Sequence, residues 1–239
     1  MRTTLTAHGA PPFYTRSMDA PRPIMVHGTV GGAATWVGQH GAFAGAAAIA
    51  LPGFPLGEPI SDVDQAVAFL TELVTRVPAP RVLVGHELGA ALAMEACARR
   101  PDLADGLVVS GLGANGPTTC PADVDETLDA CLGDPSGDAG SVLRRALEAT
   151  GDDTRTRSAT LAAGLDPLAA AARLPMPVLA ITGDADPVVP LAAVATLADA
   201  VPDCMGAIIP DAKHLPMADA AVPYNLLVAA FLARIETGA

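Results

Sequence analysis

The residues that could carry chemistry stand at three separate turns of this 239-residue chain. The first is Glu87, in Gly85-His86-Glu87-Leu88-Gly89, directly after the apolar run Val82-Leu83-Val84. Glycines two positions before and after a reactive residue suit a sharp strand-to-helix bend, where backbones approach closely. The second is Gly183-Asp184-Ala185-Asp186, which offers two carboxylates after another apolar run. The third is His214, beyond a Pro210-Asp211 turn and followed by Leu215-Pro216. A carboxylate beside an imidazole can attack an electrophilic carbon or move protons, and a second carboxylate can orient the imidazole.

Short β-type runs alternate with longer helical ones, so the spacing predicts an α/β fold: a mostly parallel sheet covered on both faces. Strands are expected at 23–26, 46–51, 81–84, 106–112, 176–182 and 206–209. Helices are expected at 62–77, 88–99, 191–201 and about 221–235. Val63, Val67, Leu70 and Leu73-Val74 give the first of these its helical period. From Gly113 to about Leu174 strand character vanishes, with short helices expected near 123–131, 141–150 and 157–165. A connection of roughly 60 residues is far longer than usual. It divides the chain into a core, 1–113 with 173–239, and an inserted helical segment, 114–172.

The net charge of −12 leaves no basic surface for nucleic acid. Cys97, Cys120, Cys131 and Cys204 show no zinc-ligand spacing and read as reduced thiols, so no metal site is expected. Gly111-Leu112-Gly113 lacks the third glycine and the helix start of a dinucleotide loop, so no cofactor is expected either. Residues 1–12 carry no signal-peptide pattern and no apolar run is long enough for a bilayer. The expectation is a cytoplasmic protein acting on a small molecule, with no membrane or nucleic-acid partner and an oligomeric state that the sequence does not specify.

Five segments in order resemble the α/β-hydrolase superfamily over about 24–235. Gly85-His86-Glu87-Leu88-Gly89 resembles its nucleophile elbow. His27-Gly28-Thr29-Val30-Gly31-Gly32 resembles the loop that supplies an oxyanion-hole amide. Leu51-Pro52-Gly53-Phe54-Pro55-Leu56-Gly57 is similar to a conserved turn, with Ala50 and Pro55 replacing an Asp and a Gly, which leaves that turn less well tethered. Gly183 to Pro190 resembles the acid loop, whose spacing selects Asp186 over Asp184, and His214 matches the terminal His. The resemblance implies a doubly covered sheet with 114–172 as a short lid, a Glu87-His214-Asp186 triad, and backbone amides of Thr29 and Leu88 as the oxyanion hole. Gly28, Trp36 and Val188 are the residues it places nearest a substrate. The relatives nearest in size are small esterases, thioesterases and cofactor-free lyases.

Glu where Ser is usual changes the chemistry. A carboxyl with an unperturbed pKa of about 4.3 has no proton to lose at neutral pH, and its oxygens reach roughly 2.5 Å past a Ser oxygen. A Ser-type acyl-enzyme is excluded. An extended Glu87 could instead fill the oxyanion hole itself, helped by the helix N-terminus by about 0.3–1 kcal/mol. Three readings follow: a covalent Glu87 nucleophile with water activated by His214; a Glu87–His214 acid–base pair for a lyase, cyclase or isomerase; or a non-catalytic binding protein. No Tyr in the lid can protonate an epoxide, and Leu88 stands where dehalogenases place a halide-binding Trp. The other candidates have plainer roles: His86 structural and pointing away from the elbow tip, His27 a loop brace, Asp184 a turn former, Trp36 core packing before pocket wall, His8 and His40 ordinary.

Overall fold

The computed structural model describes residues 20–118 and 123–238. Cys120, His8, Tyr14 and the segment 1–12 lie outside them. Six strands, β1 (Arg22–Val26), β2 (Ala47–Ile49), β3 (Arg81–His86), β4 (Gly106–Ser110), β5 (Val178–Gly183) and β6 (Cys204–Ile209), form one sheet in the order β2-β1-β3-β4-β5-β6. Every pairing is parallel. The chain leaves β1 towards β2 on one side and returns as β3 on the other, so the strand order reverses between β1 and β3. Ligands bind outside the strand C-termini at such a reversal.

The two-residue period of the strands sorts the core into two layers. Ile24, Val26, Leu83, Leu107, Val109, Val178 and Ala180 face one way, against the Val63–Thr75 and Leu88–Arg99 helices. Met25, Val82, Val84, Val108, Leu179 and Ile181 face the other, against Trp36, Phe43 and the Ala221–Thr237 helix through Tyr224, Val228 and Phe231. The Val63–Thr75 helix starts where Asp62 accepts from the Gln65 amide, an N-cap worth about 1 kcal/mol.

The residues between β4 and β5 form helices at Val124–Cys131, Asp138–Glu148, Asp152–Ala163 and Pro167–Ala171. They do not stand apart from the core. Leu128, Cys131, Leu143 and Leu147 join the Trp36 layer, and Leu161, Leu165 and Leu174 join the opposite one. The Leu51–Gly57 turn, expected to be loosely held, is tied down twice: the Leu51 amide donates to His27 Nε2 at 2.9 Å, and the Thr154 hydroxyl donates to the Gly53 carbonyl at 3.1 Å.

The expected strands and long helices are all present, with ends that move by a few residues. The helix expected after the His27–Gly32 loop is two short turns, Gly32–Trp36 and Val37–His40, while Pro167–Ala171 and Pro216–Asp219 are helical turns without an expected counterpart. Cys97 and Cys204 are free thiols. Among the described residues, no helix is long and apolar enough to cross a membrane.

Candidate active site

The elbow forms as the glycine spacing requires. Glu87 has φ 48° and ψ −115°, a strained conformation for a side-chain-bearing residue. Its amide donates to the Ser110 carbonyl at 2.9 Å, which holds the bend to β4. A Cβ on Gly89 would strike the Val26 and His27 carbonyls, and one on Gly85 would lie 2.5 Å from Ala90 Cα. These two positions therefore let the Leu88–Arg99 helix pack directly over the ends of β1 and β3.

The loop after β1 meets this bend. Thr29 donates its amide to Glu87 Oε2 at 2.7 Å, and its hydroxyl lies 2.8 and 2.9 Å from Oε2 and Oε1. The Glu87 carboxylate thus lies against both Thr29 donors. The Leu88 amide, the other expected donor, makes no hydrogen bond to that carboxylate among the described residues. Gly28 is pressed against the site: a Cβ there would sit 2.5 Å from Glu87 Oε2.

His27 braces this loop as expected. Its Nδ1 lies 2.6 Å from the Gly28 carbonyl, and its Nε2 accepts from the Leu51 amide. One nitrogen must donate and the other accept, so the ring is held neutral. Burial pushes its pKa down to about 4, partly offset by the Gly28 carbonyl.

His214 Nδ1 lies 3.0 Å from Asp186 Oδ2, with both side chains almost fully buried. Asp186 is fixed in turn by the Val188 and Val189 amides, which donate to its Oδ1 at 2.8 and 3.0 Å. Asp184 instead accepts from the Asp211 amide, a turn role. The His loop is fastened to the inserted helices: Asp219 accepts from the Gly133 and Lys213 amides, and the Leu215 amide donates to the Cys131 carbonyl.

One nitrogen of His86, one oxygen of Glu87 and one nitrogen of His214 lie within 4.8 Å of one another, all three residues buried. The expectation that His86 points away is overturned. Its ring packs on that of His214, with centroids 4.9 Å apart at 63°. Its Nδ1 is 3.2 Å from the Ser110 hydroxyl. Burial, then the His214 and His27 charges, hold its pKa well below the usual imidazole value. Burial also raises the pKa of Glu87, against the opposing pull of His214 and the Thr29 hydrogen bonds.

Two groups at the site were not anticipated. The Thr29 hydroxyl was hidden behind the expectation of a backbone amide alone. His86 was hidden by strand alternation, although its adjacency to Glu87 was an available signal; its register opposite Ser110 is seen only in the folded sheet. Trp36 lies wholly within the core, 6.5 Å from the Tyr224 ring. A cavity of about 10 Å³ touches Leu88 and is walled by Leu51, Phe54, Leu92 and Leu161, about the lower limit for one water.

A switch-point site built from these loops, on a fully parallel sheet, is what a hydrolase-type scaffold presents. The sequence matches the alpha/beta hydrolase family over residues 24–225, and the chain belongs to that family. Among solved structures, a thermophilic esterase is similar at 25% identity and TM-score 0.75, covering 89% of this chain and 90% of its own. A thermophilic esterase from Thermogutta terrifontis, with malate bound, is similar at 20% identity and TM-score 0.77, with 91% of each chain covered. A meta-cleavage product hydrolase from Pseudomonas fluorescens is similar at 18% identity and TM-score 0.70, covering 90% of this chain and 92% of its own. No curated protein matches the chain by sequence. Family and neighbours place it with hydrolase-type enzymes.

Proposed function

We propose that the chain is a hydrolase whose triad is Glu87-His214-Asp186, acting on a small electrophilic organic substrate such as an ester, lactone or thioester. The observation that carries this reading is the placement of the Glu87 carboxylate, held by the Thr29 donors and close to His214. Oε2 is held by the Thr29 amide at 2.7 Å, as an oxyanion would be, and the carboxylate has His214 beside it.

In the first step a Glu87 oxygen bonds to the electrophilic carbon, and the leaving group departs with the bonding electron pair. In the second, His214 Nε2 takes a proton from water and the resulting hydroxide adds to Glu87 Cδ. Negative charge then develops on Oε2, against the Thr29 donors, the kind of preorganised stabilisation that lowers acyl-transfer barriers. Collapse breaks the bond between Cδ and the substrate-bearing oxygen. Product leaves with that oxygen, Glu87 keeps the oxygen and the second proton of water and regains its carboxylate by releasing that proton to the departing product, and the proton on His214 goes to the leaving group of the first step. Asp186 holds the imidazole in the tautomer that this requires. Glu87 and His214 are fully buried, so substrate enters by displacing part of the 114–172 segment, which acts as the lid.

A single turnover in heavy-oxygen water tests this. Peptide mass spectrometry should find the label in the Glu87 side chain, and label in product alone refutes the covalent route. A second reading rests on the closeness of Glu87 to His214, which also suits an acid–base pair running an elimination or isomerisation. That reading gives turnover without label and partial activity in Glu87→Asp.

A further inference from the structure

We propose that His86, Glu87 and His214 bind one divalent transition-metal ion of the zinc type. Neighbouring residues on a strand point to opposite faces, so His86 and Glu87 would ordinarily diverge. The positive φ of Glu87 swings its side chain back out of the strand. Consecutive residues then converge with His214 on one point, their ligand atoms within 4.8 Å of one another.

The hydrogen bonds around the three side chains fix which atoms face that point. The Ser110 hydroxyl is placed to donate to the Gly85 carbonyl at 3.3 Å. With that proton on Gly85, the Ser110 oxygen accepts from His86 Nδ1 at 3.2 Å, and in this tautomer His86 Nε2 carries a lone pair. That Nε2 is fully buried and has no hydrogen-bond partner among the described residues. Asp186 can only accept, so His214 Nδ1 carries the proton and its Nε2 also presents a lone pair. Glu87 supplies an anionic oxygen. Two imidazoles and a carboxylate thus converge within 4.8 Å inside the protein, an arrangement that suits a cation.

The ligand set suits zinc rather than a hard ion. Two imidazoles and one carboxylate are a three-ligand set that leaves a fourth position open, and each ligand already has its outer partner: Ser110 for His86, Asp186 for His214, Thr29 for Glu87. The two carboxylates, Glu87 and Asp186, balance the charge of a divalent ion. Cys97 and Cys131 are buried elsewhere in the core and are not part of the set.

The inference goes beyond the catalytic reading and does not rest on it. A bound ion would engage Glu87 and His214 Nε2 together, so the metal-bound form would not form the covalent intermediate.

The test uses the full chain, stripped with chelator and then titrated with Zn²⁺ or Co²⁺. One equivalent should bind per chain, with visible Co²⁺ bands of a low-coordinate site and no thiolate charge-transfer band. Glu87→Gln and His86→Asn should abolish stoichiometric binding. Ser110→Ala, which removes only the outer partner of His86, should weaken it about 10-fold. Failure of the unaltered chain to bind one equivalent overturns the proposal. So does equal binding by the two ligand variants, or a thiolate band. Label in Glu87 from metal-free protein, with no zinc binding, would uphold the catalytic reading and overturn this one.

Discussion

Acid should open the Thr29 loop through His27, and the size of the effect follows from two hydrogen bonds. The His27 ring must donate from Nδ1 to Gly28 and accept at Nε2 from Leu51. Protonating Nε2 sets an N–H against the Leu51 N–H. The pKa falls from 6.5 in the unfolded chain to about 4 in the folded protein. Between these values the unfolded chain binds more protons, so stability is lost as pH falls below 6.5 and the loss levels off below about 4. At about 1.36 kcal/mol per pKa unit, His27 should cost about 2 kcal/mol at pH 5 and about 3 kcal/mol at pH 4. His27→Gln keeps a donor and an acceptor but does not titrate. Urea unfolding of both proteins from pH 7 to pH 4 isolates the His27 share, because the other buried groups are common to both. The reasoning is refuted if the difference between the two proteins stays constant across that range. Activity of the unaltered enzyme should hold until about pH 4, where His27 takes up its proton in the folded protein and the loop that carries the Thr29 donors opens.

Four further outcomes are expected. Gly28→Ala puts a methyl group 2.5 Å from Glu87 Oε2, so the carboxylate must shift; kcat should drop about 100-fold, the cost of displacing a reacting group by roughly 1 Å, while circular dichroism stays unchanged. Thr29→Val keeps the amide and removes the hydroxyl, a hydrogen bond to a charged group worth about 1.5–3 kcal/mol, and should slow the label-incorporating step by roughly 10- to 100-fold. Asp186→Asn should lower kcat by about 1,000-fold or more with the fold intact, because the His214 tautomer is no longer fixed; a loss under tenfold would remove Asp186 from the triad. Glu87→Ser should gain hydrolysis of an activated aryl ester, because the Thr29 amide, freed of its carboxylate, can take a substrate oxyanion.

Much of this molecule is legible in linear order because its information is local. Short apolar runs at 23–26, 106–110 and 178–182 mark strands buried on both faces, and the structure divides their residues into two core layers. The 88–99 helix is bounded by Glu87 and Pro101, and its observed span is Leu88–Arg99. Asp186 over Asp184 followed from the resemblance to the acid loop, and the hydrogen bonds to His214 and to Asp211 separate the two in the same way. Edges were less readable. β6 begins at Cys204, ahead of the expected 206, because an edge strand with exposed Met205 and Ile208 carries little alternation.

What the sequence determined by itself was the layout: a parallel sheet, an inserted helical segment, and a carboxylate where a hydroxyl is usual. Only the tertiary structure decided where that carboxylate points. Its oxygens lie on Thr29, 58 residues away in the chain, and its neighbour His86 lies on His214 rather than in a silent core. Strand alternation sends adjacent side chains apart, and that rule fails only because one residue takes a positive φ, held in place by Ser110 across the sheet. Backbone strain of that kind is set by packing between distant segments, so no local window of residues could reveal which side chains it brings together.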